Sequence, residues 1–137
     1  MALWIQISSG SGEPIYTQVA EQINEAIAKG ELASGDKLPA VRKLAAELVI
    51  NPNTVARAYS RLEQAGLVTT KTGSGTFVSD PKLRRRDAAD INILTERIDN
   101  VITRALNLGL EGRDLIAMFQ SRLAKFVNKQ TERRKND

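Results

Sequence analysis

At 137 residues, with a formal net charge of +4 and 42% hydrophobic residues, the chain has room for one or two small domains. It contains neither cysteine nor histidine, which excludes disulfides, thiolate metal sites, a cysteine nucleophile, the Ser-His-Asp arrangement and most zinc chemistry. Its apolar stretches fall far short of a membrane span and no cleavable signal is visible, so the expected setting is the cytoplasm, with no membrane partner.

Leu3, Ile5 and Ile7 alternate with Trp4 and Gln6, which predicts a short N-terminal strand ahead of a polar, glycine-rich link over residues 8–12. Tyr16, Val19, Ala20, Ile23, Ala26 and Ile27 then recur at helical spacing, and Gly30 stops that first core helix. Leu38-Pro39 breaks the chain, and Val41, Leu44, Ala45 and Leu48 make the apolar stripe of a short helix that also carries Arg42 and Lys43. The next helix is the best specified. Asn51 is a favoured N-cap and Pro52 suits the first helical position, where its missing N–H is no loss. From there Val55, Ala58, Tyr59 and Leu62 form one stripe, while Asn53, Arg57, Ser60 and Gln64 fall on the other side. Trp4, Tyr16 and Tyr59 could stack on a base or ligand, but two of them lie on apolar stripes, so all three are read as packing residues.

Two β-prone runs, residues 67–71 and 76–78, flank Thr72-Gly73-Ser74-Gly75, whose glycines permit the positive φ of a hairpin tip. Helix, tight turn, helix and glycine-tipped hairpin, in that order, are a winged helix-turn-helix. The predicted fold class is α+β, mainly α, with residues 1–79 as the winged unit. Charge is distributed accordingly. Residues 13–36 hold one base (Lys29) against five acids, net −4. Residues 37–78 hold six bases (Lys37, Arg42, Lys43, Arg57, Arg61, Lys71) against two acids, net +4. A polyanion would meet the positive side and release counterions on binding. Residues near the start of such a helix reach base edges when it lies in a major groove, which singles out Asn53, Thr54 and Arg57. Lys71, beside the hairpin tip, suits a phosphate backbone. Each feature alone also reads as an ordinary solvated surface; the ordered set points to double-stranded DNA.

The residues Pro14-Ile15-Tyr16-x-Gln18, Gly30-x-Leu32-x-x-Gly35-x-Lys37-Leu38-Pro39, Arg42-x-Leu44-Ala45, Asn51-Pro52-Asn53-Thr54-Val55, Gly66-Leu67-Val68 and Gly73-x-Gly75-Thr76-Phe77-Val78 resemble the DNA-binding domain of GntR-family bacterial transcription regulators. The resemblance covers roughly residues 12–79, and the short remainder is similar to the YtrA-like branch, whose members carry a small two-helix dimerisation region. It implies that Arg42 contacts DNA from the first helix of the pair, that Asn51, Asn53, Thr54 and Arg57 work around the start of the recognition helix, and that Gly73, Ser74, Gly75 and Thr76 form the wing tip. It further implies a repressor of its own operon and adjacent ABC transporter genes. The family often has Ser-Arg where this chain has Asn51-Pro52, so one common arginine contact is missing, and Gly where it has Val49.

Residues 80–90, which include Arg84-Arg85-Arg86, read as a linker in which the arginines serve either as a solvated hinge or as a phosphate grip. From there Ile91, Leu94, Ile98, Val101, Ala105 and Leu108 alternate spacings of three and four, a coiled-coil-like seam, and Gly109 stops the helix. A second helix carries Ile116, Phe119, Leu123 and Phe126. Two helices this small bury little of their apolar area against each other, so residues 91–127 are expected to pair with a second copy, making the molecule a homodimer on a near-palindromic operator. Packing onto the winged unit is the alternative. Residues 128–137 are almost wholly polar and predict a disordered tail. No cofactor and no enzymatic activity is expected. The C-terminal region looks too small for a roomy effector pocket, and whether a small-molecule effector exists is left open. The competing function is a winged-helix protein-interaction module without sequence-specific DNA binding.

Overall fold

The computed structural model describes residues 5–83 and 88–136. Its contacts divide the chain into two compact units, Met1–Arg84 and Arg85–Asp137. Leu3, Trp4 and the arginine run 84–86 lie outside the described residues.

The first unit orders α1 (Ile15–Ala28), α2 (Val41–Leu48), α3 (Pro52–Gln64), β1 (Val68–Lys71) and β2 (Gly75–Val78), followed by one 3-10 turn at Pro81–Leu83. The predicted stripes are the buried faces. Val19 and Ile23 of α1, Leu44 of α2 and Val55 and Ala58 of α3 are almost fully enclosed, each of the larger ones contributing about 1.5–3 kcal/mol by leaving water. α3 packs on both α1 and α2 and runs directly into the hairpin. β1 and β2 are antiparallel, with Val68 opposite Val78 and Lys71 opposite Gly75.

A third segment extends this sheet. Leu38 N–H donates to the Thr76 carbonyl at 2.8 Å, Val78 N–H to that of Asp36 at 2.8 Å, and Gly35 N–H to that of Val78 at 2.9 Å. Lys37 and Phe77 thereby form an antiparallel bridge. The wing is fastened to the stretch that leads into α2.

The N-terminal strand is a correction: Ile5–Ile7 has no strand partner among the described residues. Two glutamine side chains, one turn apart on α1, take the place of a neighbouring strand. Gln22 accepts from Gln6 N–H at 2.9 Å and donates to its carbonyl at 2.8 Å. Buried Gln18 does the same for Ser8, at 2.8 and 2.9 Å. A primary amide carries the donor and acceptor of a peptide group, so it satisfies the segment while Ile5 and Ile7 pack on the core.

Val49 closes α2 in the left-handed region, φ 56° and ψ 50°, with its side chain 89% exposed. The turn is held by Ile50 N–H donating to the Ala45 carbonyl at 3.0 Å. A β-branched residue here is strained by about 1–2 kcal/mol, partly offset in a glycine variant by the larger entropy of its unfolded chain. Val49→Gly should therefore raise stability by about 0.5–1 kcal/mol, read as a higher urea midpoint at unchanged slope. A lower midpoint would show that the turn stores no strain.

The second unit is a helical hairpin, α4 (Ala88–Asn107) and α5 (Gly112–Asn136). Leu110 N–H donating to the Ala105 carbonyl at 3.1 Å closes α4 around Gly109, and the Asp114 carboxylate caps α5 by accepting Glu111 N–H at 2.8 Å. The disordered tail expected from Asn128 is corrected: the backbone is helical through Asn136. Lys, Gln, Glu and Arg are strong helix formers and extend a helix without an apolar face.

Candidate nucleic-acid interface

α3 begins as the sequence dictates. The Asn51 Oδ1 accepts Asn53 N–H at 2.8 Å with Pro52 at the first helical position. Asn53, Arg57, Ser60 and Gln64 are all exposed, and Thr54 is half-buried. Asn51 therefore has its carboxamide oxygen engaged in the cap, leaving the amino end to face outward. Asn51→Asp keeps the cap while exchanging that outward donor for a charged acceptor. Unfolding stability should hold within about 0.5 kcal/mol, while duplex affinity drops. Unchanged affinity would confine Asn51 to capping.

Tyr59, read as a packing residue, is buried, and its hydroxyl donates to the Pro39 carbonyl at 2.7 Å, tying α3 to the entry of α2. Burial pushes its phenol pKa well above the ordinary value. Tyr16, also read as packing, is only half-buried, and its ring carries the Arg57 guanidinium 3.9 Å from the centroid. Arg61 lies 5.8 Å from the same ring and donates to the Thr17 hydroxyl at 3.4 Å.

The wing stands on the other flank of α3. Thr70 donates to the Glu63 carboxylate at 2.6 Å, holding β1 against the helix. Val41, Ala56, Ser60, Gln64, Thr70 and Thr76 contribute to the walls of an open groove of about 590 Å³ between α3, the start of α2 and the hairpin. At the tip, Ser74 N–H donates to the Lys71 carbonyl at 2.9 Å. Gly73 takes φ 79° and Gly75 φ 124°, so the backbone favours glycine at both; a Cβ at Gly75 would sit 2.7 Å from Lys37 Cε, and the flexible lysine stem would have to move aside. Gly73 and Ser74 are exposed, whereas Gly75 and Thr76 are half-buried within the hairpin.

Arg42 lies exposed in the first turn of α2, and Lys71 is exposed at the wing with Nζ 5.1 Å from the Phe77 ring. Among the described residues, none of the six bases of residues 37–78 joins an ion pair. Their charge is available to an external anion. Lys71→Ala should weaken binding evenly on all duplexes and lower the salt slope by about one unit, measured by fluorescence anisotropy across a salt series. Altered base preference would contradict a backbone role. Sequence reasoning counted Lys37 only among the bases of the positive side, without its stem lying on Gly75, and read Tyr16 as packing without the Arg57 contact on its ring.

In the second unit, Ile91, Leu94, Ile98, Val101 and Leu108 of α4 and Ile116, Phe119 and Leu123 of α5 are exposed, Phe126 is half-buried, and Ala105 is 6% exposed. Leu94, Ile98, Val101, Ile102, Ile116 and Phe119 help line an open apolar groove of about 620 Å³ between the two helices. The helices touch lightly and leave their facing stripes open to solvent.

The family model for bacterial regulatory proteins of the GntR family matches residues 15–78. Over 107 residues the chain is 38% identical to the HTH-type transcriptional repressor YtrA of Bacillus subtilis, covering 78% of this chain and 82% of that one. The chain belongs to the GntR family. In fold, this GntR chain is similar to a transcriptional antiterminator from Listeria monocytogenes, with TM-score 0.79 and 26% identity over 89% of this chain and 91% of that one. It is also similar to the DNA-binding domain of AraR, solved in complex with operator, with TM-score 0.51 and 27% identity over 58% of this chain and 99% of that one. GntR proteins of this YtrA-like kind are DNA-binding transcription regulators rather than enzymes. Among the described residues, no helix is long and apolar enough to cross a membrane.

Proposed function

We propose that the chain is a homodimeric, sequence-specific repressor of transcription, acting in the cytoplasm on a near-palindromic operator. The second unit carries the dimer reading. Large apolar side chains lie exposed along both of its helices, Phe119 at 65% and Leu108 at 74%, while Ala105 is the one buried residue among those described there. A hairpin so poorly enclosed gains stability by laying its seam on a second copy. The first unit supports the DNA reading through its unpaired bases, capped outward-facing α3 and wing. Two such units on one duplex face would set their recognition helices in major grooves about one turn apart, and occupancy of promoter DNA would block transcription.

The protein's own operon and adjacent transporter genes are the first promoters to examine. Sedimentation equilibrium should give a dimer, and titration of duplexes selected from the source genome should show preference over scrambled competitor with a steep salt dependence. A monomer would overturn the dimer reading; equal affinity for scrambled duplex would overturn the sequence-specific one.

A further inference from the structure

Two cations of α3 lie near one aromatic ring of α1. Tyr16, in the first turn of α1, is held half-buried, so its ring is fixed by the packing beneath it. The Arg57 guanidinium carbon lies 3.9 Å from the ring centroid, against 5.8 Å for Arg61, which is drawn aside to Thr17. Arg57 is exposed and, among the described residues, forms no ion pair. The ring contact is thus its one described restraint. Tyr16, Arg57, Ser60, Arg61 and Gln64 wall an open hollow of about 330 Å³ along α3, so the arginine is held where solvent, or a duplex, has access.

A guanidinium is planar, with its five N–H donors in that plane, so an aromatic face can hold it and still leave its donor edge available. A lysine held the same way would present no such fork. The donor fork matches the O6 and N7 acceptors on the major-groove edge of guanine. We propose that Tyr16 is a positioning residue for base recognition: its ring pre-sets Arg57, and the pre-set arginine reads a guanine. This rests on the DNA-binding function proposed above. Tyr16 acts through Arg57, with its own hydroxyl making no required contact.

The test uses the full-length chain and a duplex enriched by the wild-type protein from a randomised library, with a scrambled duplex as reference. Tyr16→Leu should weaken the enriched duplex by about five- to tenfold and the scrambled one hardly at all, with guanine preference lost at one position per half-site. Tyr16→Phe, which keeps the ring, should restore wild-type affinity. With Arg57→Ala already present, Tyr16→Leu should add no further loss. In the protein without DNA, the Arg57 δ-proton resonances should lie upfield from the ring current and return to ordinary positions in Tyr16→Leu.

Equal losses in Tyr16→Phe and Tyr16→Leu would overturn the proposal in favour of a direct hydroxyl contact. Full additivity with Arg57→Ala, or unshifted Arg57 protons, would overturn it as well. Those results leave DNA binding standing. Failure of the wild-type protein to enrich any duplex would instead remove the DNA reading and this proposal together.

Discussion

Ile98→Asp should sediment as a monomer at concentrations where the parent chain is a dimer. Ile98 sits midway along α4, 45% exposed in the single chain, on the same face as Leu94, Val101 and Ile102. In the proposed dimer that face would be interior, and a carboxylate there would lose much of its hydration. The monomer would still fold its first unit and still bind a half-site. What it loses is the second binding event, which tethering makes effectively intramolecular, so affinity for a two-half-site duplex should fall by about 10²- to 10⁴-fold. Val101→Asp should behave alike. Dimers persisting in both variants would mean that another surface holds the copies together.

Asn53→Ala and Arg57→Ala should each cost about 1–3 kcal/mol on the preferred duplex and relax preference at one or two base pairs. Both side chains are exposed on α3, and the described hydrogen bond of Asn53 is made by its backbone N–H, so truncation leaves the cap intact. Stability should accordingly stay within about 0.5 kcal/mol, separating a recognition loss from a folding loss. If each variant weakened every duplex equally, these residues would grip the backbone and sequence would be read elsewhere.

The elements legible in the sequence are those whose signals are local. Asn51-Pro52 with the Val55, Ala58, Tyr59 and Leu62 stripe specifies α3 within one stretch of chain, and Gly109 marks the stop of α4 in the same way. Distant partners were hidden. The alternation of Ile5 and Ile7 is real, but the groups that satisfy the Gln6 backbone come from a side chain 16 residues away. The strand-like pairing of 36–38 with β2 likewise joins segments separated by two helices. In α5, loss of the apolar pattern after Val127 suggested loss of structure, whereas high propensity carries the helix on. At the candidate interface the residue types were legible, and the stacking of Arg57 on Tyr16 was not, because it depends on how α1 crosses α3.

Gly35 and Leu38 donate N–H groups to β2 and the Asp36 carbonyl accepts from it, which fastens the hairpin to the stretch ahead of α2. A bracket fastened in this way would turn the dimensions of a seated duplex into an energetic term. Sequences whose minor groove is naturally too narrow or too wide for the fixed span from α3 to the hairpin would have to deform, at a cost set by their own stiffness. Discrimination would then extend to base pairs that no side chain touches.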